Sequence, residues 1–399
     1  MNILQIANKA IYPPDGGSLA ILNMAKGYIK NGHKVHMLNM VTHKHINTYE
    51  LVEKKYKDDL TLDGVNIDTR ISLIKLIINF IAFNKPYIAQ RFISRKFKER
   101  IIHLIHTETV DVIQIEGLYA LQYIPFIKKS FNGKVLYRPH NLEYLIWQRN
   151  YKETRNIFKK IYFKSLYNRL IILEQKFLNT YDYIIPISET DAQIFTELGN
   201  EKPLKVAPFG IELDKFVKKY KSPMREDNPA INFIGALDWL PNQRGLLWFI
   251  QTCLPQIVKE FPNLSFNIAG RNAPKKFIKT LQHPNIIFLG EIKDAYSFLQ
   301  NTGPVIVPLF SGSGMRVKII ESMALKKAIV ATSIAAEGIH CKNRTNILLA
   351  NNSNTFSDAI IDLLKNKEFE QSIGKNAFNF VKSQHDFVKI ARDIESFIN

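Results

Sequence analysis

The chain has 399 residues, of which 46% are apolar and 23% are charged, and its formal net charge is +18 at pH 7. This length predicts two domains, and the composition excludes a disordered or fibrous protein. Its two cysteines, Cys253 and Cys341, are too few for a disulfide framework or a cysteine-built metal site. The N-terminus lacks a secretory signal pattern, and the longest apolar run, 71–83, contains Lys75 and is shorter than the ~20 residues that span a bilayer. We therefore expect a cytoplasmic protein.

The positive charge is concentrated in two segments. Residues 70–100 contain eight lysines and arginines against one acid, Glu99, and residues 149–176 contain eight against Glu153 and Glu174. Anionic lipid, nucleic acid or an anionic substrate would complement such segments, and a solvated lysine-rich surface is the plainer alternative. In 158–177, apolar residues recur at helical spacing beside lysines. This pattern predicts either a helix lying on the anionic cytoplasmic face of a membrane or a core-packed helix with a solvated face.

The first half of the chain alternates strand and helix patterns. Strands are predicted at 3–7 and 35–40, on either side of a loop and a helix that ends near Lys30. This βαβ unit requires a parallel sheet. Further strands are predicted at 110–115, 134–137, 183–186 and 204–207. Residues 1–208 are therefore predicted to form one doubly wound domain.

After a polar, proline-containing segment at 209–230, which is typical of an interdomain linker, the alternation restarts. Strands are predicted at 231–234, 264–269, 286–289, 305–308 and 328–331, and helices at 246–260, 314–325 and 357–399. We predict a second domain at 231–380 and a C-terminal helix, 381–399, that packs back toward the first. The fold class is α/β, with two Rossmann-like parallel-sheet domains. Because ligands bind at the carboxyl ends of such strands, the cleft between the domains is the expected site.

The segment 305–337 carries the strongest functional signal. The predicted strand ends at Pro308, and a Ser-Gly-Ser-Gly turn at 311–314 leads directly into a helix. Backbone N–H groups at such a turn, together with the helix N-terminus, favour a bound phosphate. Arg316 and Lys318 in the first helical turn add positive charge for a diphosphate, and Glu321 is placed to accept both hydroxyls of a ribose. The alternative is an ordinary glycine-rich turn with exposed charges.

This segment resembles the donor-binding element of family 4 glycosyltransferases, which have the GT-B fold. Residues 321–324, Glu-Ser-Met-Ala, match the second of two glutamates in the family's motif, whereas Ser313 replaces the first. The sequence thus resembles the branch with a Gly-Ser-Gly-x-Arg-x-Lys run. The resemblance extends along almost the whole chain, and it implies that the first domain binds the acceptor and the second binds the nucleotide sugar. It implies a retaining transferase that moves a sugar from a nucleotide sugar to a glycan or lipid-linked acceptor, in polysaccharide or lipopolysaccharide assembly.

Other matching segments add candidate residues. The loop at 12–18 resembles the family's loop after the first strand, and residues 138–143 place His140 where the family has a histidine near the donor sugar. An imidazole at this place can donate a hydrogen bond at physiological pH, so His140 is the predicted catalytic residue, with a structural histidine as the alternative. The residues predicted to bind the donor diphosphate are Gly16, Gly17, Gly312, Ser313, Gly314, Met315, Arg316 and Lys318. The residues predicted to contact donor or acceptor more loosely are Arg138, Glu143, Gly235, Asn242, Arg244 and Arg271.

The resemblance also implies a mechanism in which the nucleoside diphosphate leaves from the face that the acceptor attacks and takes the acceptor's proton. No paired-carboxylate signature points elsewhere. Since arginine, lysine and a helix terminus are expected to neutralise the phosphates, we expect neither a metal nor another cofactor. Two alternatives remain: a nucleotide-sugar epimerase of the same fold, and a basic nucleic-acid-binding protein. The second lacks any recognised nucleic-acid-binding motif, so we expect no nucleic-acid partner.

Overall fold

The computed structural model describes residues 1–12, 15–43, 45–82, 85–219, 229–300, 303–311 and 315–399. The chain divides into two compact units. The first comprises Met1–Gly210 and Phe387–Asn399, and the second comprises Ile211–Asp386. Each unit contains a six-stranded parallel sheet with flanking helices, which confirms the predicted α/β class.

The sheet of the first unit has the strand order β3-β2-β1-β4-β5-β6. Its strands are β1 (Asn2–Ala7), β2 (Lys34–Val41), β3 (Leu60–Asn66), β4 (Val112–Glu116), β5 (Lys134–Arg138) and β6 (Tyr183–Ile184). All neighbouring strands pair in parallel. The order reverses between β1 and β4, and in doubly wound sheets this switch point is where ligands bind, at the carboxyl ends of the strands.

Helices cover both faces of this sheet, so the strands are buried on both sides. They are α1 (Gly16–Lys30), α2 (Leu73–Ala82), α3 (Tyr87–Gln90), α4 (Arg95–Thr107), α5 (Leu118–Leu121), α6 (Ile124–Ser130), α7 (Glu143–Glu153), α8 (Ile157–Phe177) and α9 (Glu189–Glu197), together with the C-terminal α18 (Phe387–Ile398). Helix α18 packs beside α1, where Asn31 Nδ2 donates to the carbonyl of Val388 at 3.1 Å. The C-terminal helix is thus part of the first unit.

The second unit repeats this topology in the order β12-β11-β10-β7-β8-β9, with its switch point between β7 and β10. Its strands are β7 (Ala230–Ile234), β8 (Ser265–Ala269), β9 (Ile286–Gly290), β10 (Val305–Val307), β11 (Ile329–Ala331) and β12 (Leu348–Leu349). Its helices are α10 (Leu213–Lys219), α11 (Leu240–Thr252), α12 (Leu254–Glu260), α13 (Lys275–Ile278), α14 (Ala295–Leu299), α15 (Val317–Ala324), α16 (Ser353–Lys365) and α17 (Lys367–Gln384).

Several elements differ from the predicted ones. The helix predicted at 246–260 is two helices that meet at Cys253, because Pro255 lacks an N–H and cannot continue the preceding helix. The segment 204–207 forms only an isolated bridge between Leu204 and Ile184, and β3 and β12 were not predicted. The predicted linker at 209–230 contains α10, and its residues 220–228 lie outside the described part of the chain.

Candidate active site

A strip of buried polar side chains crosses the sheet of the first unit. In the strand register, Gln5 of β1 lies beside Gln114 of β4, and Glu116 of β4 lies beside Arg138 of β5. All four side chains are fully buried. Since side chains alternate between the two faces of a strand, these residues share the face that α1 covers. The strip ends at the carboxyl edge of the strands, next to the switch point.

Glu116 is the centre of this strip. Its Oε1 accepts hydrogen bonds from Gln5 Nε2 at 2.6 Å and from Gln114 Nε2 at 2.5 Å. Its Oε2 lies 3.3 Å from Arg138 Nη1 and 2.5 Å from His140 Nε2. Tyr28 of α1 donates from its hydroxyl to Gln114 Oε1 at 2.6 Å, which fixes the orientation of that amide.

The pKa values in this group follow from burial and charge. Burial raises the pKa of Glu116, but the charge of Arg138 and the hydrogen bond from His140 outweigh it and lower that pKa to about 2. Burial also lowers the pKa of His140, although Glu116 opposes the shift. At neutral pH, Glu116 is therefore an anion that only accepts, and His140 is a neutral imidazole whose Nε2 carries the proton. The Nδ1 atom of His140 is left as a hydrogen-bond acceptor, whereas the sequence suggested a donor.

Two predicted contact residues near His140 have structural partners. The predicted contact residue Arg138 is fully buried behind Glu116, so it cannot touch a ligand as predicted. Its Nη1 contacts the carboxylate that holds His140. Glu143, the first residue of α7, accepts a hydrogen bond from the Tyr119 hydroxyl at 2.9 Å, and burial raises its pKa. Its backbone N–H donates to Glu174 Oε1 of α8 at 2.7 Å, so a side chain from α8 caps the helix that follows His140.

The loop after β1 forms a second polar group in this unit. Asp15 caps the N-terminus of α1 and lies 2.8 Å from Lys9 Nζ and 3.3 Å from His45 Nε2. Gly16 and Gly17 begin α1, and a Cβ at Gly17 would lie only 2.5 Å from Lys9 Nζ. Lys9 is close enough to lower the pKa of His140. The two predicted glycines therefore border a lysine that the sequence did not single out.

In the second unit, the predicted residues Gly235, Asn242 and Lys318 lie together at the carboxyl end of β7. Lys318 Nζ donates to the carbonyl of Ile234 at 3.1 Å and to Asn242 Oδ1 at 3.2 Å. A Cβ at Gly235 would lie 2.9 Å from Asn242 Nδ2 and 3.2 Å from Lys318 Nζ, so a side chain at this position would displace one or both groups. Lys318 belongs to α15, the helix after β10, whereas Gly235 and Asn242 follow β7. Because β7 and β10 flank the switch point of this sheet, a lysine lies at that point.

The charge of Lys318 is poorly stabilised. Burial and the nearby positive charge of Arg316 lower its pKa to about 7. Among the described residues, no carboxylate pairs with the Lys318 ammonium. Arg316 was expected in the first turn of α15 but directly precedes the helix. Its guanidinium lies 5.6 Å from the centre of the Trp239 ring. Two basic side chains thus converge at the N-terminus of α15, where an anion is favoured.

Glu321 lies one turn further along α15. Its Oε1 accepts a hydrogen bond from the Tyr296 hydroxyl at 3.3 Å, and burial raises its pKa to about 7. Of the remaining predicted residues, Met315 precedes Arg316, Arg244 is exposed on α11, and Arg271 follows β8 with its carbonyl accepting from the Leu237 N–H at 2.9 Å. Gly312, Ser313 and Gly314 lie outside the described residues.

Three residues that position His140 were missed by the sequence analysis. Gln5, Gln114 and Glu116 fall inside or at the end of strands whose other buried residues are apolar. A polar residue inside a strand buried on both faces needs a hydrogen-bond partner, and this was the available signal. The identity of each partner depends on the register between strands that are distant in sequence.

Two parallel-sheet units with polar side chains at their strand ends form the architecture of the GT-B type. Residues 14–215, about half of the chain, match the family description "Glycosyltransferase Family 4", and residues 228–366 match "Glycosyl transferases group 1". The chain therefore belongs to glycosyltransferase family 4.

Relatives and solved structures of similar length are known. The chain is 24% identical over 407 residues to an uncharacterised 44.6 kDa protein in the cps region of Klebsiella pneumoniae, with 98% of each chain covered. It superposes on a sucrose-phosphate synthase from Thermosynechococcus elongatus with a TM-score of 0.72 at 15% identity, covering 99% of this chain and 98% of that one. HepE of Anabaena in complex with UDP-glucose gives a TM-score of 0.65 at 13% identity, covering 99% and 98%. These structural likenesses show a shared fold.

Proposed function

We propose that this protein is a retaining glycosyltransferase that transfers a sugar from a nucleoside diphosphate sugar to a hydroxyl of a glycan or lipid-linked acceptor. The observation that carries the proposal is Lys318, a cation at the switch point of the second sheet that no described carboxylate neutralises. A diphosphate at the N-terminus of α15 would supply that missing negative charge. The UDP-glucose complex of HepE supports a nucleotide sugar as the ligand.

In this proposal the second unit binds the nucleotide half of the donor. Lys318 and Arg316 neutralise the diphosphate, and the backbone at Gly235 leaves room beside Lys318 for a phosphate oxygen. Glu321 accepts the ribose hydroxyls, a role for which its ionised form is better suited. Because side chains supply the positive charge, transfer should persist after divalent cations are chelated.

The first unit positions the sugar. Glu116 holds His140 in the tautomer that leaves Nδ1 free to accept a hydrogen bond from a donor-sugar hydroxyl. In the transfer step, the bond between the anomeric carbon and the phosphate oxygen breaks, and the acceptor oxygen bonds to the same face of that carbon. The acceptor's proton passes to the departing phosphate oxygen. The protein contributes orientation and charge stabilisation to this step.

The relative in the Klebsiella pneumoniae cps region supports polysaccharide assembly as the setting. The choice of donor is testable by measuring the thermal unfolding of the protein with a panel of nucleotide sugars, because a ligand that binds the folded state raises its apparent stability. We expect one or a few nucleotide sugars to stabilise the wild type, and none to stabilise Lys318→Met to the same extent.

The chemistry can then be tested with the donor identified in that panel. We expect slow release of nucleoside diphosphate, with NMR showing that the freed sugar keeps the donor's anomeric configuration at the earliest time points. Inversion would contradict the retaining mechanism. Conversion of the intact donor to an isomer would indicate an epimerase. A salt-sensitive shift of RNA or DNA mobility, without any response to nucleotide sugars, would indicate a nucleic-acid-binding protein.

A further inference from the structure

Helix α2 (Leu73–Ala82) of the first unit has its apolar side turned outward. Its solvent-facing stripe consists of five large apolar residues that are 50–80% exposed: Leu73, Ile74, Ile77, Ile78 and Ile81. The opposite side includes the buried Asn79. A helix on the surface of a water-soluble protein normally has the reverse arrangement, with polar residues facing water. Because each such side chain favours burial by ~1.5–3 kcal/mol, this stripe is suited to a non-aqueous contact.

Hydrogen bonds hold the inward side of α2 to the rest of the first unit. Asn79 Nδ2 donates to Gln90 Oε1 at 2.9 Å and to the carbonyl of Lys85 at 3.0 Å. Arg169 of α8 donates to the carbonyls of Asn79 and Phe80, at 3.1 and 2.8 Å, which satisfies the C-terminal end of α2. These contacts determine which side of the helix faces outward.

The first turns of α8 carry further exposed apolar residues. Ile157, Phe158 and Ile161 are 60%, 80% and 53% exposed, and Tyr162 next to them contacts Phe80 of α2, with the two ring centres 6.2 Å apart. We call these three residues and the five of the α2 stripe the apolar face. The later residues of α8 that the sequence analysis assigned to either a membrane or a core, Leu166, Leu170, Leu173 and Phe177, are buried in the core. Exposed cations accompany the apolar face, namely Lys75, Lys85, Arg155, Lys159 and Lys164.

We propose that the apolar face docks on the surface of an anionic lipid bilayer, with α2 lying in the plane of the interface. The ten residues of α2 extend only ~15 Å, so it can lie among the headgroups and upper acyl chains but cannot cross the bilayer. None of the helices in the described chain is long and apolar enough to span a membrane. The cations identify anionic lipid as the partner, since a second copy of the chain would place the same positive charges against them. The inference goes beyond the proposed function and does not depend on His140 or Lys318.

Vesicle sedimentation with the full-length protein tests this inference. We expect binding to vesicles that contain about one-third phosphatidylglycerol and little binding to phosphatidylcholine alone. The double variant Ile77→Glu/Ile78→Glu should lower the partition coefficient more than tenfold. Lys159→Gln/Lys164→Gln should lower it roughly fivefold per lysine, and the loss should shrink as salt increases.

A matched control is Ile287→Glu, which makes the same chemical change at a residue of β9 in the second unit that is 45% exposed. It should bind vesicles as the wild type does, and all variants should keep the wild-type unfolding temperature and the wild-type rate of donor hydrolysis. Failure to bind either vesicle type, or equal binding to both, would overturn the inference. A dimer in sedimentation velocity that Ile77→Glu/Ile78→Glu dissociates would show that a second copy covers the face instead.

Discussion

The two units have the same strand order, but they differ in the charged groups at their switch points. The charges of the first unit are paired, whereas no described carboxylate pairs with Lys318 in the second. In the first unit, the carboxylate of Glu116 accepts from four side chains and balances Arg138. In the second, the partners of Lys318 among the described residues are a carbonyl and an amide, and its pKa is lowered to about 7. The charges of the first group are balanced when the chain folds, whereas in the proposed function an anion balances Lys318. One topology thus supports both a charge-balanced group and an unbalanced one.

Glu116→Gln removes the carboxylate that balances Arg138 and should have the largest effect of the substitutions. The substitution leaves Arg138 buried without a counterion, so we expect a loss of ~3–5 kcal/mol in the free energy of unfolding, measured by denaturant titration. The double variant Glu116→Gln/Arg138→Met removes both charges and should recover most of that stability. Its turnover should nevertheless stay low, because His140 has lost its anionic partner. Full turnover in the double variant would show that Glu116 has only a structural role.

His140→Ala should affect catalysis much more than stability, although His140 belongs to the same hydrogen-bonded group as Glu116. His140 lies at the edge of the buried strip, so its loss should change the unfolding free energy far less than Glu116→Gln does. We expect a decrease of about 100-fold in kcat for sugar transfer or donor hydrolysis, because the sugar is no longer oriented. His103→Ala, an exposed histidine on α4, is the control and should be indistinguishable from the wild type. A His140→Ala enzyme of normal kcat would remove this residue from the mechanism.

Lys318→Met tests whether Lys318, whose charge no described carboxylate balances, binds the diphosphate of the donor. Loss of a charge-assisted contact to a phosphate should weaken the binding of the nucleotide sugar about 10- to 100-fold, measured by calorimetry. Lys382→Met on α17 is an exposed control and should leave the dissociation constant unchanged. A Lys318→Met protein that binds the donor as tightly as the wild type would disprove the diphosphate site.

The same site predicts a pH dependence for the wild type. A diphosphate favours the protonated lysine, whose pKa in the free protein is lowered to about 7. Above that pH, binding requires proton uptake, so the affinity for the donor should fall as pH rises from 6 to 8.5. In Lys318→Met this fall should be absent. Glu321, whose pKa is also raised to about 7, gives the opposite trend if its ionised form holds the ribose, so the fall should be larger in Glu321→Gln than in the wild type.

Glu174 is a buried carboxyl group of the first unit whose pKa, unlike that of Glu116, is raised. Its substitution should have the smallest effect. Burial raises its pKa to about 8, so the folded protein holds a proton that the unfolded chain releases near pH 4.5. The folded state is thus favoured at low pH, and its stability should fall as pH rises from about 4.5 to 8. Glu174→Gln keeps the cap on α7 and should remove ~1 kcal/mol or more of this fall, measured as unfolding free energy at pH 5 and pH 8. An unchanged pH profile would contradict a neutral Glu174.

Much of the fold could be predicted from the sequence. The alternation of apolar strands with helical patterns predicts two parallel sheets, because that pattern is a local property of the chain. The strand, glycine-rich turn and helix pattern at 305–325 was enough to select Lys318 and Glu321 as candidates, and the family resemblance selected His140 in the segment 138–143. Breaks such as that at Cys253 also had a local signal in Pro255 and could have been predicted.

The partners of those candidates were decided only by the tertiary structure. Glu116 and Arg138 are 22 residues apart, Gln5 and Glu116 are 111 apart, and Asn242 and Lys318 are 76 apart. Strand register and helix packing bring them within hydrogen-bond distance, and burial then sets their pKa values. The outward face of α2 has the same origin. The sequence of that helix shows one apolar run, whereas the contacts of Asn79 and Arg169 determine which side meets the solvent.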